Sequence, residues 1–449
     1  AGAVEEVHRL LLGYQLPVGA FAIVIAPELH ESWPLIAALQ AVGLNTVTVQ
    51  SLDHAVQLAI RNCACVVTTP AIQSSQGLGN YSWPGASLIA VQPAWRPGNL
   101  ADFHPVDVPS GGHVLYTSGT TGTYKKVLLD NVSLKARLTA TRRIRGYDGD
   151  TIFHATNFGL WTAAGYLQPL SIWGCGGSVI FDQHENFLAD IFRRRITDVN
   201  LMPPDLKWLL EHGIAPEQGH QVRIYCGGGP VQLSVAQQVL NRISNHLTLL
   251  YGSTECLGMM RQRFLVDEDA LWFTPDEGRA LQIVSEDGTL SGIGEPGELR
   301  VPLLPMDSSE YLDDPEASAK VFRDGFFYPG DLAVRRGDGR IRVLGRIADV
   351  LTVGGNKIPV APIERAVEEA LRVDAVCIFG GLDDEGREKI VVAIETKRDP
   401  TAAEQERVAA FLPPFERVQF VVFPEFPRAA AGMRKIQRRA LRQLAFFRT

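Results

Sequence analysis

Short apolar runs alternate with helix-length segments through the first 70 residues, and this alternation most limits the possible fold. Residues 21–27 (Phe-Ala-Ile-Val-Ile-Ala-Pro), 46–49 (Thr-Val-Thr-Val) and 65–68 (Cys-Val-Val-Thr) have strand length and β-branched character. Segments 33–42 and 55–60 between them carry helix formers. Strand–helix–strand order calls for a parallel, doubly wound α/β sheet. The pattern continues with strands at 177–181, 200–202 and 223–226 and helices at 186–194 and 206–211. Between 292 and 345 glycine turns separate short alternating strands, such as 297–301 and 340–344, which predicts a small antiparallel or barrel-like subdomain. Beyond Arg346 a compact α+β unit is expected, with an amphipathic helix over 363–371.

At 449 residues the chain is too long for one ordinary domain. A hydrophobic content of 46% with 21% charged residues excludes a disordered chain. No run of about 18 apolar residues is present, so no membrane span is expected. Residues 1–6 (Ala-Gly-Ala-Val-Glu-Glu) lack the basic and apolar regions of a signal peptide. The six cysteines have no framework or zinc-pair spacing and are expected to be buried free thiols in a reducing, cytoplasmic setting. Seven basic residues and no acidic one lie between Arg428 and Arg448. Without an aromatic platform or nucleic-acid motif, this helix is expected to face a phosphorylated cofactor or water, not nucleic acid.

The segment Tyr116-Thr117-Ser118-Gly119-Thr120-Thr121-Gly122-Thr123-Tyr124-Lys125-Lys126 follows the apolar Val114-Leu115. Glycines, hydroxyls and backbone N–H groups make an anion cradle, and a lysine adds a point charge, a chemistry suited to a polyphosphate. The spacing is not that of a Walker loop. Alone, such a run is more often a plain surface loop. Tyr251-Gly252-Ser253-Thr254-Glu255 also follows an apolar run and sets a hydroxyl beside a carboxylate, a reasonable pair for phosphate and Mg²⁺. Tyr251 could lie against a flat ring. Gly227-Gly228-Gly229-Pro230 lets backbone approach a flat ligand or simply ends a strand. Asp331, in Tyr328-Pro329-Gly330-Asp331, has the acceptor geometry for a cis-diol, or is a turn aspartate.

These motifs, in this order, resemble the adenylate-forming superfamily: acyl- and aryl-CoA synthetases, luciferases and nonribosomal peptide adenylation domains. The loop resembles Y-T-S-G-T-T-G-x-P-K-G, departing at Tyr124 and Lys126. Residues 251–255 resemble Y-G-x-T-E. Gly345-Arg346-Ile347-Ala348-Asp349 resembles the segment joining the two family domains, with the hinge at Ala348 or Asp349. Residues 427–439 resemble the C-terminal lysine motif, placing the catalytic lysine at Lys435 with Arg434 as its rival.

The resemblance implies a large domain at 1–345 that binds ATP and the acid, and a mobile domain at 346–449 that carries Lys435. A carboxylate would attack the α-phosphate of ATP, giving an acyl-adenylate, and a thiol would then take the acyl group. Thr117, Ser118, Gly119, Thr120, Thr121, Gly122 and Lys125 would hold phosphates. Gly227, Gly228, Gly229 and Tyr251 would meet adenine, and Asp331 and Arg346 the ribose or phosphate. Thr254, Glu255 and Lys435 would serve catalysis, with Glu255 on Mg²⁺. The expected cofactors are ATP, Mg²⁺ and coenzyme A. The expected activity is that of an AMP-forming acid–thiol ligase acting on a small carboxylic acid. Loading a carrier-protein phosphopantetheine is the alternative, and an ATP-binding regulator without activity a remote one. In the stretch 157–161, Gly159 stands where amino-acid-activating members have aspartate. Phe158, Trp161 and Tyr166 would make an apolar pocket, or are ordinary core aromatics. Oligomeric state is left open.

Overall fold

The computed structural model describes residues 2–94, 111–118, 124–155, 158–181, 187–353, 356–382, 388–412, 418–428 and 436–447. It divides into two compact units. One comprises Ala1–Asn200, Thr254–Leu257 and Leu303–Phe322. The other comprises Leu201–Ser253, Gly258–Pro302 and Arg323–Thr449.

The first unit is built on a six-stranded sheet of β1 (Phe21–Ile25), β2 (Asn45–Val49), β3 (Cys63–Thr68), β4 (Ser87–Ala90), β5 (His113–Ser118) and β6 (Tyr124–Leu129). Its order is β4-β3-β1-β2-β5-β6. All pairs are parallel except β5–β6, an antiparallel hairpin that joins Thr117 to Lys125 in register. All five residues of β1 are buried because helices cover both faces. Its side chains alternate accordingly. Ala22 and Val24 enter one core with Leu35, Leu39, Leu115 and Val127. Phe21, Ile23 and Ile25 enter the other with Val47, Leu58, Val66 and Val114. The helix Leu29–Ala41 starts four residues before the expected one and contains Pro34. The helix Leu52–Leu58 is capped by Ser51, whose Oγ accepts from the backbone N–H of His54.

Parallel strands Ile152–His154, Ser178–Ile180 and Asp198–Leu201 follow, with the first in the middle. The helix expected over 186–194 is a single turn, Phe187–Asp190.

In the second unit Arg223–Cys226 and His246–Ser253 are parallel. The region 282–346 is antiparallel, with Gly297–Pro302 and Asp331–Arg335 paired and Ile341–Arg346 on the latter. The glycine-turn texture marked this subdomain. After Arg346, strands Val376–Leu382, Glu388–Glu395 and Val418–Phe423 form a three-stranded sheet with its own cores. Val367, Leu371, Ile378, Ile390 and Val392 fill one face, and Phe379, Val391, Val421, Leu441 and Ala445 the other. The amphipathic helix is Val360–Leu371.

All six cysteines are free thiols. Cys65, Cys226, Cys256 and Cys377 are buried, while Cys63 and Cys175 are only partly so. Among the described residues no helix is long and apolar enough to cross a membrane.

Candidate active site

Each unit gathers part of the residues singled out above. In the first, the hairpin β5–β6 presents the ends of the glycine loop. Thr117 is exposed, and Ser118 ends β5. Gly119, Thr120, Thr121 and Gly122 lie outside the described residues. Strand alternation sends the two lysines to opposite sides. Lys125 Nζ lies 5.1 Å from the centroid of the Tyr311 ring, a cation–π distance. Lys126 is buried and donates to the Leu58 carbonyl at 3.2 Å. Tyr124, where proline is usual, packs its ring against His54 and Tyr116 at centroid distances of 5.0 and 5.4 Å. Aromatic packing thus anchors the outgoing arm of the loop in place of a fixed φ.

Tyr311 links this lysine to Glu255. Its hydroxyl donates to Glu255 Oε1 at 2.6 Å, and both residues are buried. The turn that carries Thr254 and Glu255 is held from behind by Arg137, which donates to both of their carbonyls. Neither Tyr311 nor Arg137 was singled out from the sequence. Arg137 had a legible signal: it shares a buried helical stripe with Leu134 and Thr141, an unusual place for a guanidinium. Tyr311 sits 56 residues from its partner, and nothing local marks it.

The pocket stretch is also in the first unit. The Trp161 carbonyl accepts from the Tyr116 N–H at 3.0 Å, tying it to the strand that enters the loop. The Trp161 and Tyr116 rings are stacked at 6.1 Å. Phe158 and Trp161 are partly exposed. Gly159 packs under the indole: a Cβ there would lie 2.2 Å from Trp161 Cη2, so the position admits no side chain while the indole stays. Tyr166 is fully buried. Its ring is stacked on His113 at 3.9 Å and Trp33 at 5.5 Å, and its hydroxyl accepts from Gln40 at 2.8 Å. This burial fits the reading of Tyr166 as an ordinary core aromatic. Burial also pushes the His113 imidazole down to about 3, so the ring is neutral. Its Nε2 donates to the Leu160 carbonyl at 2.9 Å, and its Nδ1 accepts from Thr46 Oγ1 at 2.8 Å.

The second unit brings Tyr251, Asp331 and Arg346 together. The Tyr251 hydroxyl donates to Asp331 Oδ2. Arg346 Nε lies 3.2 Å from Asp331 Oδ1, and the arginine also donates to the Pro329 carbonyl. Asp331 is buried and Arg346 largely exposed, so a buried carboxylate faces a solvent-accessible cation. Gly227 follows the strand Arg223–Cys226, with Gly228 and Gly229 exposed beyond it. Gly228 has φ +87, which glycine adopts without strain.

Lys435 and Arg434 lie outside the described residues. The helix Arg438–Phe447 beyond them is anchored by Arg438, whose Nη1 and Nη2 donate to Glu364 at 3.1 and 2.8 Å. Arg438 Nε is 3.3 Å from Asp349 Oδ2. Of the two hinge candidates, Asp349 therefore carries an ion pair, and Ala348 sits inside the short 3₁₀ turn Ile347–Asp349.

Comparison with known proteins identifies the family of the chain. The family model described as AMP-binding enzyme matches residues 51–302. The chain is 28% identical over 355 residues to indoleacetate–CoA ligase of Aromatoleum aromaticum, covering 75% of this chain and 68% of the relative. It is 28% identical over 354 residues to 2-hydroxy-7-methoxy-5-methyl-1-naphthoate–CoA ligase of Streptomyces carzinostaticus. That match covers 73% of this chain and 61% of the relative. An amide bond synthetase from Marinactinospora thermotolerans superposes with a TM-score of 0.82 at 22% identity, covering 98% of this chain and 93% of that one. The chain belongs to the AMP-binding enzymes, the adenylate-forming superfamily.

Proposed function

We propose that this protein activates a small aromatic carboxylic acid with ATP and transfers the acyl group to coenzyme A, as an AMP-forming acid–thiol ligase. The observation that carries this reading is Glu255, held by Tyr311 beside the lysine that closes the glycine loop. The relatives named for CoA ligation of a naphthoate and of indoleacetate support the thiol and the aromatic acid. The partly exposed Phe158 and Trp161 supply an apolar wall for a ring.

The roles follow from charge and reach. Thr117 and Lys125, with the loop between them, hold the β- and γ-phosphates. Glu255 suits Mg²⁺, which takes one or two protein carboxylates and fills its remaining positions with water and phosphate oxygens. When bound, Mg²⁺ would neutralise phosphate charge. Thr254 offers its hydroxyl to a phosphate. Asp331 takes the ribose hydroxyls, Arg346 meets ribose or phosphate, and Tyr251 and Gly227–Gly229 border the adenine. Lys435 adds a cation to the charge that builds at the α-phosphate. The C-terminal region 346–449, with its own cores, moves about the Ile347–Asp349 turn between adenylation and thioester formation. The free thiols favour a cytoplasmic setting.

The test is ATP–pyrophosphate exchange with a panel of acids, followed by addition of coenzyme A or a phosphopantetheine carrier. Aromatic acids should support exchange, and coenzyme A should yield the acyl thioester with AMP. ATP binding without exchange for any acid would overturn the reading. Thioester on the carrier alone would replace coenzyme A as acceptor.

A further inference from the structure

Arg137 heads the fully buried side chains of the described residues by volume. A buried guanidinium is costly to desolvate, and a hydrophobic side chain of similar size would fill the same space. Its partners suggest why an arginine stands here. Nε donates to the Met306 carbonyl at 2.8 Å. Nη1 donates to the Thr254 carbonyl at 3.0 Å and Nη2 to the Glu255 carbonyl at 2.5 Å. Nη2 also lies 3.4 Å from Ser308 Oγ. One planar fork therefore holds two consecutive carbonyls on one side of the backbone. An extended strand cannot present them so, because successive carbonyls point in opposite directions. The chain is indeed in a turn here, between the strands His246–Ser253 and Leu257–Arg263, and Leu257 leaves it with φ 60.

The same fork reaches the segment that supplies Tyr311. The Ser308 N–H donates to the Glu255 carbonyl at 3.1 Å, and the Tyr311 hydroxyl holds the Glu255 carboxylate. The Tyr311 N–H is in turn fixed by Ser318 Oγ at 2.8 Å. Glu255 is thus held at its carbonyl by Arg137 and at its carboxylate by Tyr311.

We propose that Arg137 is a positioning residue for MgATP: it sets the Thr254–Glu255 peptide so that the Glu255 carboxylate faces the metal on the phosphates. Its effect passes through Glu255, and the proposal rests on the function proposed above. A lysine there could satisfy one carbonyl but not form the fork.

The experiment measures ATP affinity by isothermal titration calorimetry, with Mg²⁺ and with EDTA, on folded wild type, Arg137→Met, Arg137→Lys and Glu255→Gln. Folding is checked by thermal melting. Arg137→Met should bind MgATP at least about tenfold more weakly, and Arg137→Lys about three- to fivefold more weakly. ATP affinity in EDTA should stay within about twofold for both, and the KM for the acid within about threefold. A merely structural role would weaken binding alike with and without Mg²⁺, and that outcome overturns the proposal. So does wild-type MgATP affinity in the variants. If Arg137→Met does not fold, Arg137→Lys decides by the same criterion. Glu255→Gln separates the two readings. If it leaves the Mg²⁺ dependence intact, Glu255 is not the metal carboxylate and the functional assignment fails. If it abolishes that dependence while the Arg137 variants do not alter it, the Arg137 inference alone fails.

Discussion

Lys125 and Lys126 are neighbours in sequence and serve opposite faces of one strand. Lys125 lies over the Tyr311 ring, whereas Lys126 is buried against the Leu58 carbonyl, with Asp313 Oδ2 at 3.8 Å. Adjacent charges in a motif therefore divide into one that can reach a ligand and one that holds the fold. Lys125→Ala should raise the KM for ATP about tenfold or more with little change in Tm. Lys126→Ala leaves a buried carbonyl and a carboxylate without their cation, a cost of about 1–3 kcal/mol. It should lower Tm by several degrees while activity per folded molecule stays near normal. Melting curves and ATP-dependent pyrophosphate exchange on both variants check this; the reverse pattern would exchange the two roles.

Asp331 is predicted to act through binding. Its carboxylate already accepts from Tyr251 and pairs with Arg346, so it is oriented before any ribose arrives. A contact made equally in ground and transition states changes KM and not kcat. Asp331→Ala should raise the KM for ATP at least about tenfold and leave the KM for the acid within about threefold. Initial rates over both substrate concentrations decide it. A shift in the acid KM alone would remove Asp331 from the ribose site.

The sequence was most legible where local chemistry repeats. The apolar run at 21–25 is a strand buried on two faces, and a run without polar alternation says as much. The pairing of Asp331 with Tyr251 bridges 80 residues, and that of Tyr311 with Glu255 bridges 56. Such contacts are made by topology and leave no periodic trace. Gly159 was visible as a missing aspartate, but its closure by Trp161 follows from a turn held by Thr162, whose hydroxyl donates to the Gly159 carbonyl at 2.8 Å. The helix expected over 186–194 is observed over Phe187–Asp190 alone, a stop that no glycine or proline marks in the sequence.

His113 gives a pH dependence with a definite sign. In the unfolded chain it titrates near 6.5, and in the fold burial holds it at about 3. Below pH 6.5 the unfolded chain therefore binds a proton that the native state refuses. The stability of the neutral, buried ring is intact above pH 6.5 and falls as the pH drops toward 3. At pH 5 the loss is about 2 kcal/mol. The difference in unfolding free energy between wild type and His113→Asn should shift against wild type by that amount from pH 7 to pH 5. Comparing the two proteins cancels other titrating groups. A pH-independent difference would mean that the ring can be protonated in place.

Lys435 should serve adenylation alone. The motif that places it continues into Arg438, which is fixed to Glu364 and Asp349. Lys435→Ala should abolish pyrophosphate exchange, a loss of about 3–4 kcal/mol or more of transition-state stabilisation. It should still form thioester from a supplied acyl-adenylate and coenzyme A. Near-normal exchange in this variant would sink the assignment, and loss of exchange in Arg434→Ala as well would move it by one residue.

The acid should lack a free ammonium. Amino-acid-activating members of the family carry an aspartate where this chain has Gly159, and the Trp161 indole closes that place to any side chain. An ammonium buried beside Phe158 and Trp161 would lack its counter-charge, a penalty of several kcal/mol. An aromatic acid instead buries a ring against the same side chains at no electrostatic cost. The preference for aryl or acyl acids over α-amino acids should reach about two orders of magnitude or more in kcat/KM. Competitive turnover of benzoate-like, indole-containing, medium-chain and α-amino acids under identical ATP and Mg²⁺ measures it. Faster turnover of an amino acid would mean that its ammonium meets another carboxylate and that the pocket does not lie along residues 158–161.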